Sequence, residues 1–556
     1  MRLTLAGRSL DAGLALAVIL IAFGIVLRFT HLDRKPATHD EAFTALRVSG
    51  HAEAELVRDL SSNVRLVKIN ELRSKYLLPN SEPHFVNLIQ AIVKEEPQLA
   101  PFYYITLKCW AHLCGGTIGM LRAWSALLSL LALACMYWLC LELFQSRFTA
   151  VVALVILSVS PFFLSYSQDA RHYSCWAAAL MAASAALLRA MRVGSRPSWA
   201  IYAVTLAIAL YTGLFSIMVA AGHVAYVLIM ERARFTRTLV SFLAASAAAG
   251  VSFLPWAAVV ATHWAQLRKV SGGAEEPGLS LSMLARGWIR QPGRLLYNLN
   301  TPLEPSSSER WLQYLATAGS VVLVLVALYS LYRRSDKRIW AFLLLLVGTT
   351  AGGLALQDLV VGGQASVGGT SNIPKYLTPC FLGIVAAVAA LLGRPPDQAT
   401  DRPWKVAATR AALVVFIATQ IAASVAAWQA TICPLQGAPD SKVALNLAAI
   451  AEINHARDSV VVTNASGWDV LYLSQLLNPE VHLWTKPSCW ACDVTVDVAR
   501  LRPDSRETFE RFQSIYLFPN PSESLLQWAG EQTAFELKET RFGPKRDHKL
   551  VWLRRR

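Results

Sequence analysis

The sequence predicts an all-α polytopic membrane protein of about eleven transmembrane helices, with interfacial helices on its outer face and a small C-terminal α/β domain. Three observations predict it. Hydrophobic residues make up 54% of the chain and charged residues only 16%, against roughly 45–50% and 25% in ordinary soluble domains. Long apolar runs recur as far as residue 430. From residue 431 these runs shorten, polar residues rise and strand-like stretches begin. The formal net charge of +15 would suggest nucleic acid in a soluble protein. In a chain this apolar, Lys and Arg instead collect in cytoplasmic loops and on anionic lipid surfaces, so no nucleic-acid partner is expected.

In order, the expected spans are 12–29, 120–142, 148–167, 173–191, 198–213, 215–230, 238–260, 311–332, 339–356, 376–393 and 409–429. The first is too long for a signal-peptide core, and Arg28 and Thr30 follow it without a small-residue cleavage site, so it reads as a retained span. Segment 99–114 is short and carries Lys108 and His112 one turn apart, which reads as a helix lying along the membrane. With the N-terminus in the cytoplasm and 99–114 left out of the spans, Arg147, the Arg189/Arg192/Arg196 group, the Arg232/Arg234/Arg237 group and the basic loops 332–338 and 393–405 all fall inside. That is the expected bias of basic loops.

This topology places three stretches on the outer face: the loop 31–98, the turn "SQDARHY" and the loop before Lys375, with 261–310 nearby. Within 31–115, the pattern "HFVNLIQAIV" puts Phe85, Leu88, Ile89, Ile92 and Val93 on one helical face, read as a surface-lying helix. Residues 1–430 thus form a membrane domain and 431–556 an extracytoplasmic α/β domain. In the latter "DSVVVT", "EVHLW", "QSIYLF" and "KLVWL" alternate with helical patterns.

Three groups could carry chemistry. Asp40-Glu41 is an acidic pair about ten residues beyond a span, where charge is costly and needs a role; salt bridges to His39 or Arg34 are the structural alternative. Asp169, Arg171 and His172 sit on a tight turn between two spans, where an Asp–Arg turn pair is the plain reading. Lys375-Tyr376 follows a Gly-rich stretch at the start of a span; a snorkelling Lys with a belt Tyr competes with a cation for a lipid phosphate. The nine cysteines are spread thinly. Only "CWAC", Cys489 to Cys492, has redox-motif spacing, and a structural disulfide, with Cys433 as a further candidate partner, is the preferred reading. "NAS" at 464–466 fits a glycosylation sequon, a triplet common by chance.

Taken together, "HDEAFTALR" after the first span, "EEPQLAPFYYITLKCW" before "GMLRAWSALLS", then "SPFFLSYSQDARHYS" and "PKYLTP" resemble, in content and order, the polytopic type C glycosyltransferases of the protein-mannosyltransferase-like group, which includes the aminoarabinose transferases. The resemblance covers residues 10–235 and then thins to "PKYLTP". It implies inverting transfer of a sugar from a polyprenyl-phosphate donor to an acceptor hydroxyl of a protein, lipid or glycan, on the outer face of a bacterial plasma (inner) membrane. It implies Asp40 as the base, with Glu41 orienting it, and Asp169 as the second acidic position. Arg171, His172, Lys375 and Tyr376 would meet the donor phosphate. A divalent Mg or Mn between carboxylates is compatible with this chemistry, with no metal ligand assigned. The chain departs from the family pattern at "EPQLAPFYY", where His-Pro-Pro-Leu is usual, and at Lys375, where Arg is usual. Two other classes remain open: a transporter or flippase of the lipid-linked sugar, which would bury paired charges at mid-span, and a scaffold whose working part is the C-terminal domain.

Overall fold

The computed structural model describes residues 2–62, 65–79, 85–271, 280–297, 307–361, 373–393, 403–430, 440–494, 509–542 and 548–556. The chain enters the membrane domain through α1 (Arg2–Phe29). It then builds an outer layer from α2 (His39–Ser49), α3 (Glu53–Ser62), β1 (Val67–Lys68), α4 (Ile69–Tyr76), α5 (Phe85–Glu95) and α6 (Phe102–Cys114). The bundle continues with α7 (Ile118–Phe144), α8 (Arg147–Ser158), α9 (Pro161–Ser167), α10 (Tyr173–Val193), α11 (Arg196–Thr212), α12 (Ser216–Met230) and α13 (Arg237–Thr262). After α14 (Trp264–Ser271) and α15 (Leu281–Tyr297) come α16 (Ser307–Arg334), α17 (Lys337–Val361), a 3-10 turn (Pro374–Leu377), α18 (Thr378–Leu392) and α19 (Pro403–Gln429).

All eleven expected spans are helical. Among the described residues, 7 helices are long and apolar enough to cross a membrane, or 8 if one bent pair counts as a single span; two shorter apolar helices, Gly13–Phe29 and Ser216–Met230, accompany them. The bent pair corrects the sequence reading, which took 148–167 as one span. It is α8 and α9, turned by 62°. Pro161 cannot continue α8 and restarts the chain as the first residue of α9. The Ser160 hydroxyl caps the new helix by accepting from Phe163 N–H at 3.3 Å. Carbonyls freed at the break are taken by the buried Arg28, which donates to Ser158 O (2.6 Å) and Leu157 O (3.1 Å). A Cβ on Gly24 would overlap the Ser158 carbonyl, so only glycine allows α1 to pass this close.

The basic ends of the spans meet at one end of the bundle: Arg192 forks onto Glu142 with two 2.9 Å bonds, and Arg338 reaches the Glu142 carbonyl. The three stretches assigned to the outer face converge at the other.

Beyond that end lies the C-terminal domain: α20 (Asp440–His455), β2 (Ser459–Thr463), α21 (Gly467–Leu476), β3 (His482–Thr485), β4 (Ser514–Leu517), α22 (Glu523–Gly530), β5 (Phe535–Phe542) and β6 (His548–Arg555). Strands expected at 458–463, 480–484, 513–518 and 549–553 are β2, β3, β4 and β6. The sheet order is β1-β3-β2-β4-β6-β5, parallel across β3, β2 and β4. β1 is contributed by the outer loop and pairs antiparallel with β3, Val67 opposite Leu483. Arg73 of α4 locks the same seam by donating to the carbonyls of Gln475 (3.0 Å) and Leu477 (2.7 Å). The outer loop and C-terminal domain therefore share one core, in which Leu46, Leu88, Ile92, Tyr103 and Leu107 join Val461, Leu471 and Leu483.

That shared core corrects two further expectations. The apolar face of α5 does not lie on a membrane surface; Leu88 and Ile92 are fully buried against protein. Nor is Lys108 of α6 an interfacial charge. It is buried and donates to Val48 O at 2.8 Å, a cation at the carbonyl end of α2 where the helix dipole favours it.

Candidate active site

α2 begins with a capping box. Glu41 N–H donates to the Thr38 hydroxyl (3.1 Å), and Thr38 N–H returns a bond to Glu41 Oε2 (2.9 Å). It ends at Gly50, whose φ of 94° gives the left-handed cap that glycine tolerates. The helix carries its acidic pair in the first turn, where the dipole favours negative charge.

The two members of that pair are bound very differently. Glu41 is fully buried. Arg122, near the start of α7, clamps it with Nε to Oε1 and Nη2 to Oε2, both 2.7 Å. Ala170 N–H adds a third contact at 2.9 Å. Burial opposes its ionisation, yet Arg122 and these backbone donors hold Glu41 below the usual carboxylate range. Its lone pairs are occupied, and one side chain thus joins α2, α7 and the 168–172 turn.

Asp40 has 27% of its side chain exposed. Its Oδ2 accepts from Lys375 Nζ at 2.9 Å and lies 3.9 Å from Arg171 Nε. Arg171 also donates to the Asp40 carbonyl and the Thr44 hydroxyl, both 3.3 Å. Burial alone would raise the Asp40 carboxyl; Lys375, then Arg171, outweigh it and hold the group well below its ordinary value. Lys375 stands 5.8 Å above both the Tyr173 and Tyr376 rings, cation–π contacts that steady the ammonium, and Tyr376 rests edge-on against Phe215. The Gly-rich residues 368–372 expected to precede this turn lie outside the described residues.

Asp169 is 8% exposed and its Oδ1 has no hydrogen-bond partner among the described residues. Burial, then the charges of Glu41 and Asp40, push its carboxyl well up. At His172, burial, then Arg171 and Lys375, push the imidazole down to about 3, which disfavours a third cation there.

Four polar atoms in this region, Tyr104 Oη, Asp169 Oδ1, Arg171 Nε and His172 Nδ1, are buried without a hydrogen-bond partner among the described residues. Each such atom costs about 1–3 kcal/mol unless something satisfies it. Concentrated beside the part-exposed Asp40–Lys375 pair, they make this the candidate site for a polar ligand.

The structure therefore brings together Asp40, Glu41, Asp169, Arg171, His172, Lys375 and Tyr376 from three distant stretches. His39 and Arg34 are not the counter-ions of the acidic pair: His39 turns to the C-terminal domain, 3.3 Å from Asp469 and stacked at 4.0 Å on Tyr472. Sequence reasoning missed Arg122 and Tyr104, and also Arg47, which is fully buried and held by Glu95 (2.8 Å) and Glu96 (3.1 Å). The available signals were an arginine inside an apolar helix, "MLRAW", and the acidic pair in "KEEP".

Of the three carboxylates, Glu41 is spent on Arg122 and Asp40 is engaged by Lys375. Among the described residues, the one grouping with ligand atoms close enough for an ion is Glu53, Cys489 and Cys492, within 4.8 Å of one another. There the two sulfurs form a disulfide. That bond accounts for "CWAC"; Cys433 lies outside the described residues.

No protein-family model matches the chain, and no curated protein matches it. Two solved structures resemble its chain path. The crystal structure of ArnT from Cupriavidus metallidurans bound to undecaprenyl phosphate is 13% identical, with a TM-score of 0.47, over 97% of this chain and 98% of that one. The same protein in the apo state is 13% identical, with a TM-score of 0.48, over 98% of each chain.

Proposed function

We propose that this protein is a membrane glycosyltransferase that moves a sugar from a polyprenyl-phosphate donor to an acceptor hydroxyl on a protein, lipid or glycan, at the extracytoplasmic face of the plasma membrane. The observation that carries this reading is the part-exposed Asp40 carboxylate held 2.9 Å from Lys375, with Arg171 alongside, at one end of an apolar bundle. A base and two cations at one end of an apolar bundle match the two demands of the reaction: an acceptor hydroxyl to be deprotonated and a lipid phosphate to be stabilised as it departs.

The acceptor oxygen attacks the anomeric carbon from the face opposite the phosphate. The bond from that carbon to the phosphate oxygen breaks, its electron pair leaves with the polyprenyl phosphate, and Asp40 takes the hydroxyl proton. One displacement inverts the anomeric centre. Lys375 and Arg171 meet charge as it grows on the phosphate, which is where fixed cations lower a barrier most. They also gate the base. Without donor they hold Asp40 ionised and weakly basic. A phosphate that shares them draws their field away, so Asp40 becomes more basic when the leaving group is in place. Asp169, His172 and Tyr104, each with a buried polar atom left unpartnered among the described residues, supply hydrogen bonds to the sugar or phosphate. Glu41 touches none of these and acts by holding the first turn of α2.

The test is reconstitution with a polyprenyl-phosphate sugar, following release of polyprenyl phosphate. Turnover that survives Asp40→Asn, or lipid translocation without bond cleavage, overturns the reading.

A further inference from the structure

Glu53 opens α3, is fully buried, and takes no part in the steps above. Its carboxylate accepts from the N–H groups of Trp490 (2.9 Å) and Ala491 (2.6 Å), the two residues enclosed by the Cys489–Cys492 bond. The same loop is held from another side. Lys269 of α14 donates to Cys492 O at 2.8 Å, and Gln266 donates to the carbonyls of Ala491 and, at 3.1 Å, of Glu95. The Trp490 ring stands 5.7 Å from Phe43 of α2 and 4.0 Å from Trp468 of α21. A loop from the C-terminal domain is thus plugged against the helix that carries Asp40.

The path from this plug to Asp40 is short and buried. Glu95 caps the start of α3, accepting from Glu53 N–H (2.8 Å) and Ala54 N–H (2.9 Å), and pairs with Arg47 at 2.8 Å. Arg47 and Asp40 are seven residues apart on α2 and so share a face, with Thr44 between them. We propose that Glu53 is a positioning residue: by gripping the disulfide loop it fixes α3 and, through Glu95 and Arg47, the register of α2, and so the place of Asp40 against Lys375. This rests on the reading of Asp40 as base. Each amide donates to a different Glu53 oxygen, so a glutamine would turn its own N–H₂ group against one of them. The grip also needs the ring closed, since the disulfide keeps the two amides pointing the same way.

The test uses the full chain in lipid, with two readouts: kinetics with a polyprenyl-phosphate sugar, and amide hydrogen exchange over residues 39–49. Glu53→Gln should lower kcat by about 10–100-fold, the scale of a slight misplacement of a reacting group, while the KM for donor stays unchanged. Glu53→Asp should restore part of the loss. Reducing the wild type with dithiothreitol, which opens the disulfide as the dithiol closes its own, should reproduce the Glu53→Gln phenotype without a mutation, and reducing Glu53→Gln should add nothing. Exchange over 39–49 should rise in both. Unchanged exchange on reduction, or fully additive losses, overturns the proposal. A wild type without turnover but with linked exchange would sink the base assignment and leave the mechanical link standing.

Discussion

Asp40 and Glu41 are neighbours with the same functional group, and the fold gives them opposite work. Glu41 is completely enclosed, with Arg122 and the N–H groups of Ala170 and Thr38 filling its oxygens. Asp40, about 100° further round the helix, is part-exposed and shares its charge with Lys375 and Arg171. A carboxylate whose partners are all protein is a fastener. One whose cations can be handed to a ligand can do chemistry. Which one a residue becomes depends on which way it faces and on what arrives from elsewhere in the chain.

The strongest attempt to break this contrast is Asp40→Asn. The substitution keeps size and removes the base, so turnover should fall by about 10²–10⁴-fold, the usual worth of a general base. Because the pair is part-exposed and Lys375 and Arg171 keep their other contacts, the loss of unfolding stability should be smaller than that of Glu41→Ala. Polyprenyl phosphate release and a thermal melt in detergent check both halves. Glu41→Ala should do the reverse in kind. It takes the counter-ion from the buried Arg122, which keeps its bonds to the Leu32, Lys35 and Pro36 carbonyls, and breaking one side of a buried pair costs about 3–5 kcal/mol, read as a drop in melting temperature. Glu41→Ala with normal stability would show that Glu41 is not a fastener.

Asp169 sharpens the contrast from the other side. Its folded-state pKa is raised by burial and by Glu41 and Asp40. The sign follows: a raised group favours the folded state while protonated, fully so below the ordinary carboxylate range, and that contribution is lost as pH climbs toward the folded value. Asp169→Asn copies the protonated form. Its melting temperature should therefore fall less than the wild type's as pH rises from about 4 upward, and its turnover should drop by less than tenfold. A loss as large as that of Asp40→Asn would mean that Asp169 works as an anion.

Much of the frame was legible in sequence because membrane spans obey a length and composition rule that few other structures satisfy. All eleven runs form helices, and four of the strands lie where short strand-like stretches between helical patterns placed them. What escaped was long-range. Nothing local in "VRLVKIN" says that Val67 and Lys68 complete a sheet more than four hundred residues away. Pro161 was visible, but a 62° break needed Arg28 to receive the freed carbonyls. At the site, residue identities were readable and charge states were not. Burial and neighbouring charges push the His172 imidazole down to about 3 and the Asp169 carboxyl up, shifts that no local sequence pattern carries.

The mildest change tests the cation. Lys375 is 25% exposed and gives one ammonium to Asp40 Oδ2. If it works as a transferable point charge, Lys375→Met should raise the donor KM about 10–100-fold, the loss of one charge-assisted contact of roughly 1.5–3 kcal/mol. Lys375→Arg keeps the charge and adds a planar fork suited to phosphate, so donor KM should change by no more than about threefold. The fork can also engage both Asp40 oxygens at once. In that case kcat falls while donor binding holds, because a carboxylate clamped on both sides, as Glu41 is by Arg122, is a poor base. Lys375→Arg would then push Asp40 towards the state of its neighbour, and the kcat-to-KM split measures how far.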